Sequence, residues 1–518
     1  MRRRDVLGLA AVLGLPAPLR ANLVGPVAAT PEGLREAYEV PDWYRDAKLG
    51  LWAHWGPQCA PEAGDWYGRL LYLQDERQAA IHRDQYGHPA DHGFIDVISD
   101  WRAQAWDPDE IFAAYKDAGA GFLVAMACHH DNLDLFPTPH HAWHSARIGP
   151  QRDVVGGWAA AARRLGLPFG VSNHASHAWH WWQTAYGYDT TGPRKGERYD
   201  AFRLRTEDGA GTAWEGLDPQ VLYTGPRQVP PDGLDSPAAM RAWHDANSGQ
   251  WVETIPPQGV AFASNWLARQ MALVERYEPD FLYQDGYSLP FGDIGVMAAA
   301  HFYNRAIARS GTFSGVMSAG FTRDQGTIPN LERKVAEQIE PEPWQAATCI
   351  GDWHYNRARF LEKSYVPARD VIWQLADVVS KNGTLLLSIP VRGEGTLDSE
   401  ERAILGALGT WMAREGEAAI RGSRPWRSFG GEAGGGVRYT RKGATVFALL
   451  RAPESGPLVL PELGTGPLGG ARVESVERMG GGPVPFVQGT DSLRLDPTGF
   501  DADSMVPVLR IEGRGLAG

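Results

Sequence analysis

Side chains able to act as acids, bases or hydrogen-bond partners follow several apolar stretches of this sequence, at the point where each stretch ends. Asp285 comes after the apolar run Phe281–Tyr283 and Gln284, and it is followed directly by Gly286. A carboxylate just past a buried strand, with glycine next, points into the mouth of an α/β barrel or open sheet. Asp285 is therefore a candidate nucleophile, although aspartate before glycine is also common in plain turns.

Histidines and one asparagine close other apolar stretches in the same way. They are His54, the pair His129 and His130, and the pair Asn173 and His174. The run Gly121–Ala127 is apolar on both faces, as buried parallel strands are. Helix-start signals lie between such runs, for example Asp107 before Pro108. Strand and helix alternation with polar groups at one rim predicts an α/β fold, specifically a (β/α)8-like TIM barrel.

Two regions interrupt or end this alternation. Residues 182–248 are rich in Gly, Pro, Asp and Trp, and insertions of this length are usually functional. We expect this stretch to form an elaborated loop over the site. From residue 418 onward, short alternating runs separated by Gly and Pro predict a C-terminal antiparallel β-sandwich. The barrel is thus expected over residues 31–417 and the sandwich over 418–518.

Composition limits the class of protein. The chain has 518 residues, of which 43% are hydrophobic and 22% charged, as in soluble globular proteins. Its formal net charge of -12 argues against a nucleic-acid partner. The high tryptophan content hints at carbohydrate binding, because flat rings pack on the apolar faces of sugars. The three cysteines, Cys59, Cys128 and Cys349, are too few and too far apart for a disulfide framework, so buried free thiols are expected.

The N-terminus resembles an export signal. Arg2, Arg3 and Arg4 precede a short, modestly apolar stretch, a pattern similar to twin-arginine signals. The stretch is too short to cross a membrane, and no membrane span is predicted elsewhere. We therefore assign residues 1–30 to an export signal and linker and expect a periplasmic or secreted protein. A basic leader without export function is the alternative.

An ordered set of sequence blocks covers about residues 40–427. The blocks are Trp43–Gly50 with His54–Gly56, Gly64–Tyr67, His129–Asp131, Asp153–Val155, Pro279–Asp280 with Asp285–Gly286, Asn382–Leu387, Gly395–Thr396 and Gly422–Trp426. Together they resemble the glycoside hydrolase family 29 α-L-fucosidases. The resemblance implies a catalytic (β/α)8-like barrel with a C-terminal β-sandwich. It also implies retaining hydrolysis, without metal or cofactor, of terminal α-L-fucosyl linkages in a fucosylated oligosaccharide or glycoconjugate.

The same resemblance assigns roles to individual residues. Asp285 would be the nucleophile and Glu332 the general acid/base. The substrate-binding residues that the resemblance implies are His54, Asp65, Trp66, His129, His130 and Tyr283. We also expect Asn173 and His174, which follow an apolar strand, and Trp353 to bind the substrate. This sequence departs from the family at three of these places. Asp65 stands where the family more often has Glu, Tyr283 where it usually has Trp, and Ser172–His174 where it has an aromatic residue.

The acid/base is the least determined position. Retaining hydrolysis needs two carboxyl groups about 5–5.5 Å apart. Glu332 resembles one common placement in the family, while Glu337, Glu340 and Glu342 stay open as alternatives. Many family members place a Glu where this chain has Gln345, and an amide cannot serve as a general acid.

Two other classes of function stay open. A catalytically silent carbohydrate-binding protein would keep the histidines and Asp285 but lack a working acid. A metal-dependent hydrolase would use His174, His177 and His180, whose spacing suits one helix face, although no carboxylate lies at the right offset. Homo-oligomer formation is also left open.

Overall fold

Eight parallel strands form the centre of the molecule. The computed structural model describes residues 25–254, 259–321, 325–432, 436–451, 457–496 and 504–516. The strands are β1 Leu49–Ala53, β2 Phe122–Cys128, β3 Phe169–Asn173, β4 Phe281–Gln284, β5 Val316–Ala319, β6 Asn330–Glu332, β7 Trp344–Cys349 and β8 Gly383–Ser388. Their order is β5-β4-β3-β2-β1-β8-β7-β6, and a parallel bridge from Ser318 to Ile328 links β5 to the residues before β6. The sheet is therefore a nearly closed barrel, which confirms the predicted (β/α)8-like architecture.

Helices cover the outside of this sheet. The longer ones are Pro108–Asp117, Val154–Arg164, Val260–Tyr277, Asp293–Ser310, Ala368–Ser380 and Ser399–Trp411. Shorter helical segments are Pro31–Ala37, Asp42–Ala47, Pro57–Cys59, Tyr67–Leu70, Arg77–Gln85, Phe94–Asp100, Arg357–Leu361, Met412–Gly416, Glu417–Ile420 and Pro461–Leu463. Residues 333–343, all of them described, connect β6 to β7 without a helix. The barrel is for this reason less regular than eight full βα units.

The connection from β3 to β4 is built from short helices. They are Ala175–His177, Ala178–Trp181, Trp182–Tyr186, Asp200–Arg203, Thr206–Gly209, Pro219–Leu222 and Pro237–Ala246. Asp218 and Ser236 cap two of them, each followed by proline at the first helical position. A buried hydrogen-bonded group ties this connection to the segment after β1, because the Tyr72 and Tyr223 hydroxyls lie 3.0 Å apart and Tyr223 donates to Asp200.

Antiparallel strands form the C-terminal part of the chain. A six-stranded sheet has the order β14-β13-β17-β11-β10-β9 and a three-stranded sheet the order β12-β16-β15. The strands are β9 Arg424–Gly431, β10 Val437–Lys442, β11 Thr445–Leu450, β12 Leu458–Leu460, β13 Arg472–Arg478, β14 Gly482–Pro483, β15 Phe486–Gln488, β16 Leu493–Leu495 and β17 Val508–Arg514. One apolar cluster joins both sheets, with Tyr439 and Leu509 from the larger and Leu460 and Leu493 from the smaller. This packing is the predicted β-sandwich.

Two chain-wide predictions have clear outcomes. Cys59, Cys128 and Cys349 are all buried free thiols, as expected. Within the described ranges, no helix is both long and apolar enough to cross a bilayer. The predicted export signal lies largely in residues 1–24, outside the described residues.

Candidate active site

A cavity of about 260 Å³ opens at the carboxyl ends of the barrel strands. It is lined by Trp52, His54, Asp65, Trp66, His129, His130, His174, Trp251, Tyr283, Asp285, Gly286, Tyr287, Phe321, Asn330, Glu332, Trp353 and His354. The fold thus brings together every site residue expected from the sequence except Asn173. The Asn173 side chain instead donates to Gln270 and accepts from the backbone N–H of Ala175, so it does not reach the cavity.

Asp285 lies at the floor of this cavity, one residue beyond β4. Its Oδ2 atom is 3.1 Å from Nδ1 of His174 and 3.4 Å from Nε2 of His130. Both histidines are buried, while the Asp285 side chain is 18% exposed. Burial opposes ionisation of Asp285, but His174 and His130 outweigh it and hold the pKa of the carboxyl well below its usual range. Asp285 is therefore an ionised carboxylate that faces the cavity.

The residue after Asp285 has to be glycine. Gly286 has a φ of +134°, and a Cβ at this position would collide with the Glu253 carboxylate. Oε1 of Glu253 accepts hydrogen bonds from the backbone N–H of Tyr287 at 2.6 Å and from Nε1 of Trp251 at 3.1 Å. Glu253 thus fixes the backbone that follows Asp285, which explains the Asp-Gly pair in the sequence.

Glu332 ends β6 and stands exposed at the mouth of the cavity. Partial burial, followed by the negative charge of Asp285, raises the pKa of Glu332 to about 6. A carboxyl group with such a pKa holds its proton in mildly acidic solution and can donate it. Glu337, Glu340 and Glu342, the alternative acids, do not line the cavity.

Gln345 is absent from the cavity wall because its side chain lies inside the barrel. Its Oε1 accepts from the Tyr44 hydroxyl at 2.9 Å, and its Nε2 donates to Asn330 at 2.9 Å and to Ser318 at 3.1 Å. Asn330 in turn donates to the Tyr283 hydroxyl at 3.2 Å. The amide at 345 therefore belongs to a network beneath the site, and the candidate acid at the mouth is unaffected by it.

The floor is rich in buried imidazoles that have spare hydrogen-bonding capacity. Among the residues that the structure describes, His54 has no protein hydrogen-bond partner for either ring nitrogen, and His354 has none for Nε2, while its Nδ1 lies 3.5 Å from Oδ1 of Asp65. Burial holds the pKa of His54 and of His129 well below the usual value, so both are neutral. A neutral imidazole offers one donor and one acceptor, which is what a sugar hydroxyl also offers. The floor is therefore suited to a ligand with several hydroxyl groups.

Protein contacts fix the histidine pair that follows β2. Gln58 donates to Nδ1 of His129 at 2.6 Å and to Asp131 at 3.2 Å. Deeper in the structure, Arg269 is paired with Asp134 at 2.6 Å and donates to Asn132 at 2.7 Å. Losing one partner of such a buried pair typically costs about 3–5 kcal/mol, so the loop after β2 is firmly held.

Asp65 stands at the edge of the cavity beside His354. Its Oδ1 accepts from the backbone N–H of His354 at 2.8 Å, and its Oδ2 lies 3.9 Å from Arg333. Burial acts against the charge, but the contacts from His354 hold the pKa of Asp65 below its usual value. Asp65 is consequently a hydrogen-bond acceptor at the cavity wall.

The predicted metal set His174, His177 and His180 does not converge on one point. His174 faces Asp285, His177 lies 3.3 Å from Glu253, and His180 Nδ1 bonds to the Ser248 carbonyl at 3.2 Å. Other trios in the described chain bring potential ligand atoms within 4.8 Å of one another: His54, His129 and His354; His129, His130 and His174; and His130, His177 and Asp285. The close approach of potential ligand atoms is thus found in these trios and not in the predicted one.

Sequence reasoning missed six lining side chains: Trp52, Trp251, Tyr287, Phe321, Asn330 and His354. Trp52 could have been found from the sequence. It lies two residues before His54, and in an extended strand side chains two residues apart point to the same side. His354 directly follows the predicted Trp353. Trp251 and Phe321 lie in irregular connections and had no such signal.

Comparison with known proteins agrees with this geometry. The profile of the alpha-L-fucosidase family matches residues 25–417. The chain belongs to this family. Tissue alpha-L-fucosidase from Macaca fascicularis is 26% identical over 433 residues, covering 81% of this chain and 77% of that protein. The Homo sapiens tissue alpha-L-fucosidase is also 26% identical, covering 81% of this chain and 78% of that protein.

Solved structures share the fold of this alpha-L-fucosidase family member. A structure described as alpha-L-fucosidase superposes with a TM-score of 0.70 at 22% identity, covering 93% of this chain and 99% of that one. The crystal structure of Thermotoga maritima alpha-fucosidase has a TM-score of 0.69 at 22% identity, with the same coverage. The resemblance stated from sequence blocks is thereby confirmed.

Proposed function

We propose that this protein hydrolyses terminal α-L-fucosyl linkages of glycans with retention of configuration, Asp285 acting as nucleophile and Glu332 as acid/base. The observation that carries the proposal is the presence in one cavity of two carboxyl groups whose pKa values are shifted in opposite directions. Asp285 is ionised at the floor, whereas Glu332 at the mouth has a pKa of about 6. Environments that push two carboxyl pKa values apart mark the acid and base assignments of glycosidases.

In the first step, Glu332 gives its proton to the glycosidic oxygen while Asp285 attacks the anomeric carbon from the opposite side. The bond from that carbon to the oxygen breaks, its electron pair stays on the oxygen, and the aglycone leaves as an alcohol. An ester between Asp285 and the sugar forms. His130 and His174 keep Asp285 ionised before the attack.

In the second step, the Glu332 carboxylate takes a proton from water, and the water oxygen attacks the anomeric carbon. The ester bond breaks and Asp285 leaves as a carboxylate, so both groups return to their starting states. Two inversions at the same carbon give a product with the configuration of the substrate.

The cavity walls support a deoxy sugar as substrate. Trp52 lies 5.0 Å from Tyr283 and 5.5 Å from Trp353, measured between ring centroids, and these rings make an apolar side to the cavity. The methyl group of L-fucose would lie against such a surface more favourably than a hydroxymethyl group. The remaining binding roles proposed for His54, Asp65, Trp66, His129 and His130 are contacts to the sugar hydroxyls and ring.

Two measurements test this proposal together. The first product formed from an α-L-fucoside should be α-L-fucose, seen by NMR before mutarotation. A 2-fluoro α-L-fucosyl fluoride should label the protein, and mass spectrometry of its peptides should locate the sugar on Asp285. An inverted product, or a label on another residue, would overturn the mechanism. Failure to turn over any α-L-fucoside would favour the silent carbohydrate-binding alternative.

We further propose that residues 1–30 export the protein to the periplasm or medium, and that residues 31–417 and 418–518 are separate domains. The basic run Arg2–Arg4 before an apolar stretch supports export. Replacing Arg2, Arg3 and Arg4 by lysine should leave the protein in the cytoplasm of an expressing cell. Limited proteolysis should cut first near residue 418 if the domain limits are right.

A further inference from the structure

Exposed aromatic rings are concentrated at the mouth of the catalytic cavity. Among the described residues, the exposed large aromatic side chains are Trp66 at 38%, Phe202 at 39%, Tyr287 at 55% and Phe321 at 46%. All of these except Phe202 line the cavity. Apolar surface left in water is unfavourable, and contiguous patches of it mark ligand-binding or interaction sites. The mouth therefore has a surface that a ligand would cover.

These rings form one connected surface together with Trp251, and we call the four residues the aromatic arc. The rings of Trp66 and Trp251 are 6.2 Å apart and nearly parallel, at 18°. Trp251 lies 6.4 Å from Tyr287, and Tyr287 lies 5.3 Å from Phe321. The arc thus runs without interruption along one side of the opening.

Contacts behind the arc hold it in place. The Trp251 ring stacks on the buried His177 ring at 3.9 Å. Trp251 and the Tyr287 backbone donate to the same oxygen of Glu253. Because two of its four members share an anchor, the arc is formed before any ligand arrives, and preorganisation of this kind favours binding.

The arc lies where a leaving group has to pass. Asp285 follows β4, Phe321 follows β5 and Glu332 ends β6, so Phe321 comes from the strand between those of the two carboxyl groups. The oxygen protonated by Glu332 belongs to the aglycone in the proposed mechanism. The group attached to that oxygen therefore lies beside Glu332, in the cavity that Tyr287 and Phe321 also line.

We propose that Tyr287 and Phe321, the end of the aromatic arc away from Trp66, form a binding site for the aglycone and accept a pyranose ring whose apolar face stacks on them. This inference rests on the proposed function. A pyranose offers C–H groups to the rings and keeps its hydroxyls at the edge, toward solvent. The substrate class is therefore an L-fucosyl oligosaccharide, rather than fucose on a flexible acyclic chain.

The test compares two substrates that differ in the aglycone. One is α-L-fucosyl fluoride, which has no ring to stack, and the other is the fucosyl-hexose disaccharide that the unmodified protein cleaves fastest. Tyr287→Ala and Phe321→Ala should each lower the ratio of kcat/KM for the disaccharide to kcat/KM for the fluoride by about tenfold. Tyr287→Phe and Phe321→Tyr keep a ring and should stay within about twofold of the unmodified ratio.

Phe202→Ala is the matched control, since it removes an equally exposed ring outside the cavity. The inference is overturned if both alanine variants keep the unmodified ratio. It is also overturned if they lower turnover of the fluoride as much as that of the disaccharide, because the rings would then support only the fucose pocket. If the unmodified protein cleaves neither substrate, the proposed function itself fails, and that result is visible without any variant.

Discussion

The floor and the mouth of the cavity each hold a carboxyl group, and the pKa values of the two groups are shifted in opposite directions. Burial alone would raise the pKa of both Asp285 and Glu332. At the floor, His174 and His130 reverse that effect, whereas at the mouth the charge of Asp285 adds to it. Desolvation therefore acts on both groups, while the nearest charged or donating neighbours decide in which direction each pKa moves.

The two regions also differ in what they offer a ligand. The floor consists of buried imidazoles with spare donors and acceptors, and the mouth consists of exposed aromatic rings. Hydrogen bonds from rigid, buried groups select one sugar, because a mismatch leaves polar groups unpaired. Stacking on exposed rings is more permissive. The fucose specificity should therefore depend on the floor, and the preference among aglycones on the mouth.

Removing the floor carboxylate should have the largest effect. In Asp285→Ala, kcat for an aryl α-L-fucoside should fall by a factor of about 10⁴ or more, because no ester intermediate can form. Added azide should restore part of the turnover and give a β-fucosyl azide. Asp293→Ala, an exposed aspartate on the same connection, serves as the control and should keep full activity. Comparable losses in both variants would contradict the assignment.

Removing the mouth carboxyl should have a smaller and substrate-dependent effect. Glu332→Gln should lower kcat/KM on a fucosyl disaccharide by about 10²–10⁴, because the leaving alcohol needs a proton. The loss on α-L-fucosyl fluoride should be much smaller, since fluoride leaves with little protonation. Glu337→Gln, in the same connection but outside the cavity, is the control. Equal losses on the two substrates would show that Glu332 is not the acid.

The opposite shifts of the two pKa values predict a bell-shaped pH profile. Glu332 must be protonated for the first step, so kcat/KM on a disaccharide should fall as pH rises above about 6. Asp285 must be ionised, and its lowered pKa places the acidic limb well below the usual aspartate value of 3.8. Glu332→Gln should lose the upper limb in its residual turnover of the disaccharide. A profile that stays flat from about pH 6 to 8 would contradict the pKa order.

The barrel and most of the floor could be predicted because their signals are local. Apolar strands followed at once by His54, His129 or Asp285 are visible in the sequence, and parallel strands bring their ends to one rim. The Asn173 side chain does not reach the cavity, contrary to the prediction, and the two-residue period of a strand explains why. If His174 points into the cavity, its neighbour points toward the outer helices, where Asn173 meets Gln270.

The mouth could not be predicted in the same way. Trp251 reaches the cavity through a stack on His177 and a bond to Glu253, and both contacts depend on how the β3–β4 connection folds back. Phe321 follows β5 in an irregular connection. The resemblance to a known family pointed to Glu332 as the acid. The residues alone did not distinguish Glu332 from Glu337, Glu340 and Glu342. The structure separates them because Glu332 lines the cavity and the other three do not.

Asp65 lies between the floor and the mouth of the cavity, and its substitution should have the smallest effect on kcat/KM. It accepts from His354 on one side and lies near Arg333 on the other, and its charge adds to the raised pKa of Glu332. Asp65→Asn should lower kcat/KM by about tenfold through the loss of a charged acceptor for the sugar. Because a negative charge near Glu332 is also removed, the pKa of Glu332 should fall and the upper limb of the pH profile should move to lower pH.

Asp352→Asn is the matched control for that change. Asp352 is paired with Arg359 and bonds to Asn356, and its carboxylate does not line the cavity. The control should leave the upper limb where it is, even if thermal stability falls. An upper limb that moves to higher pH in Asp65→Asn, or moves equally in both variants, would mean that the charges around Glu332 do not set its proton affinity. In that case burial alone would have to explain the acid at the mouth, and the contrast with Asp285 would rest on the histidines only.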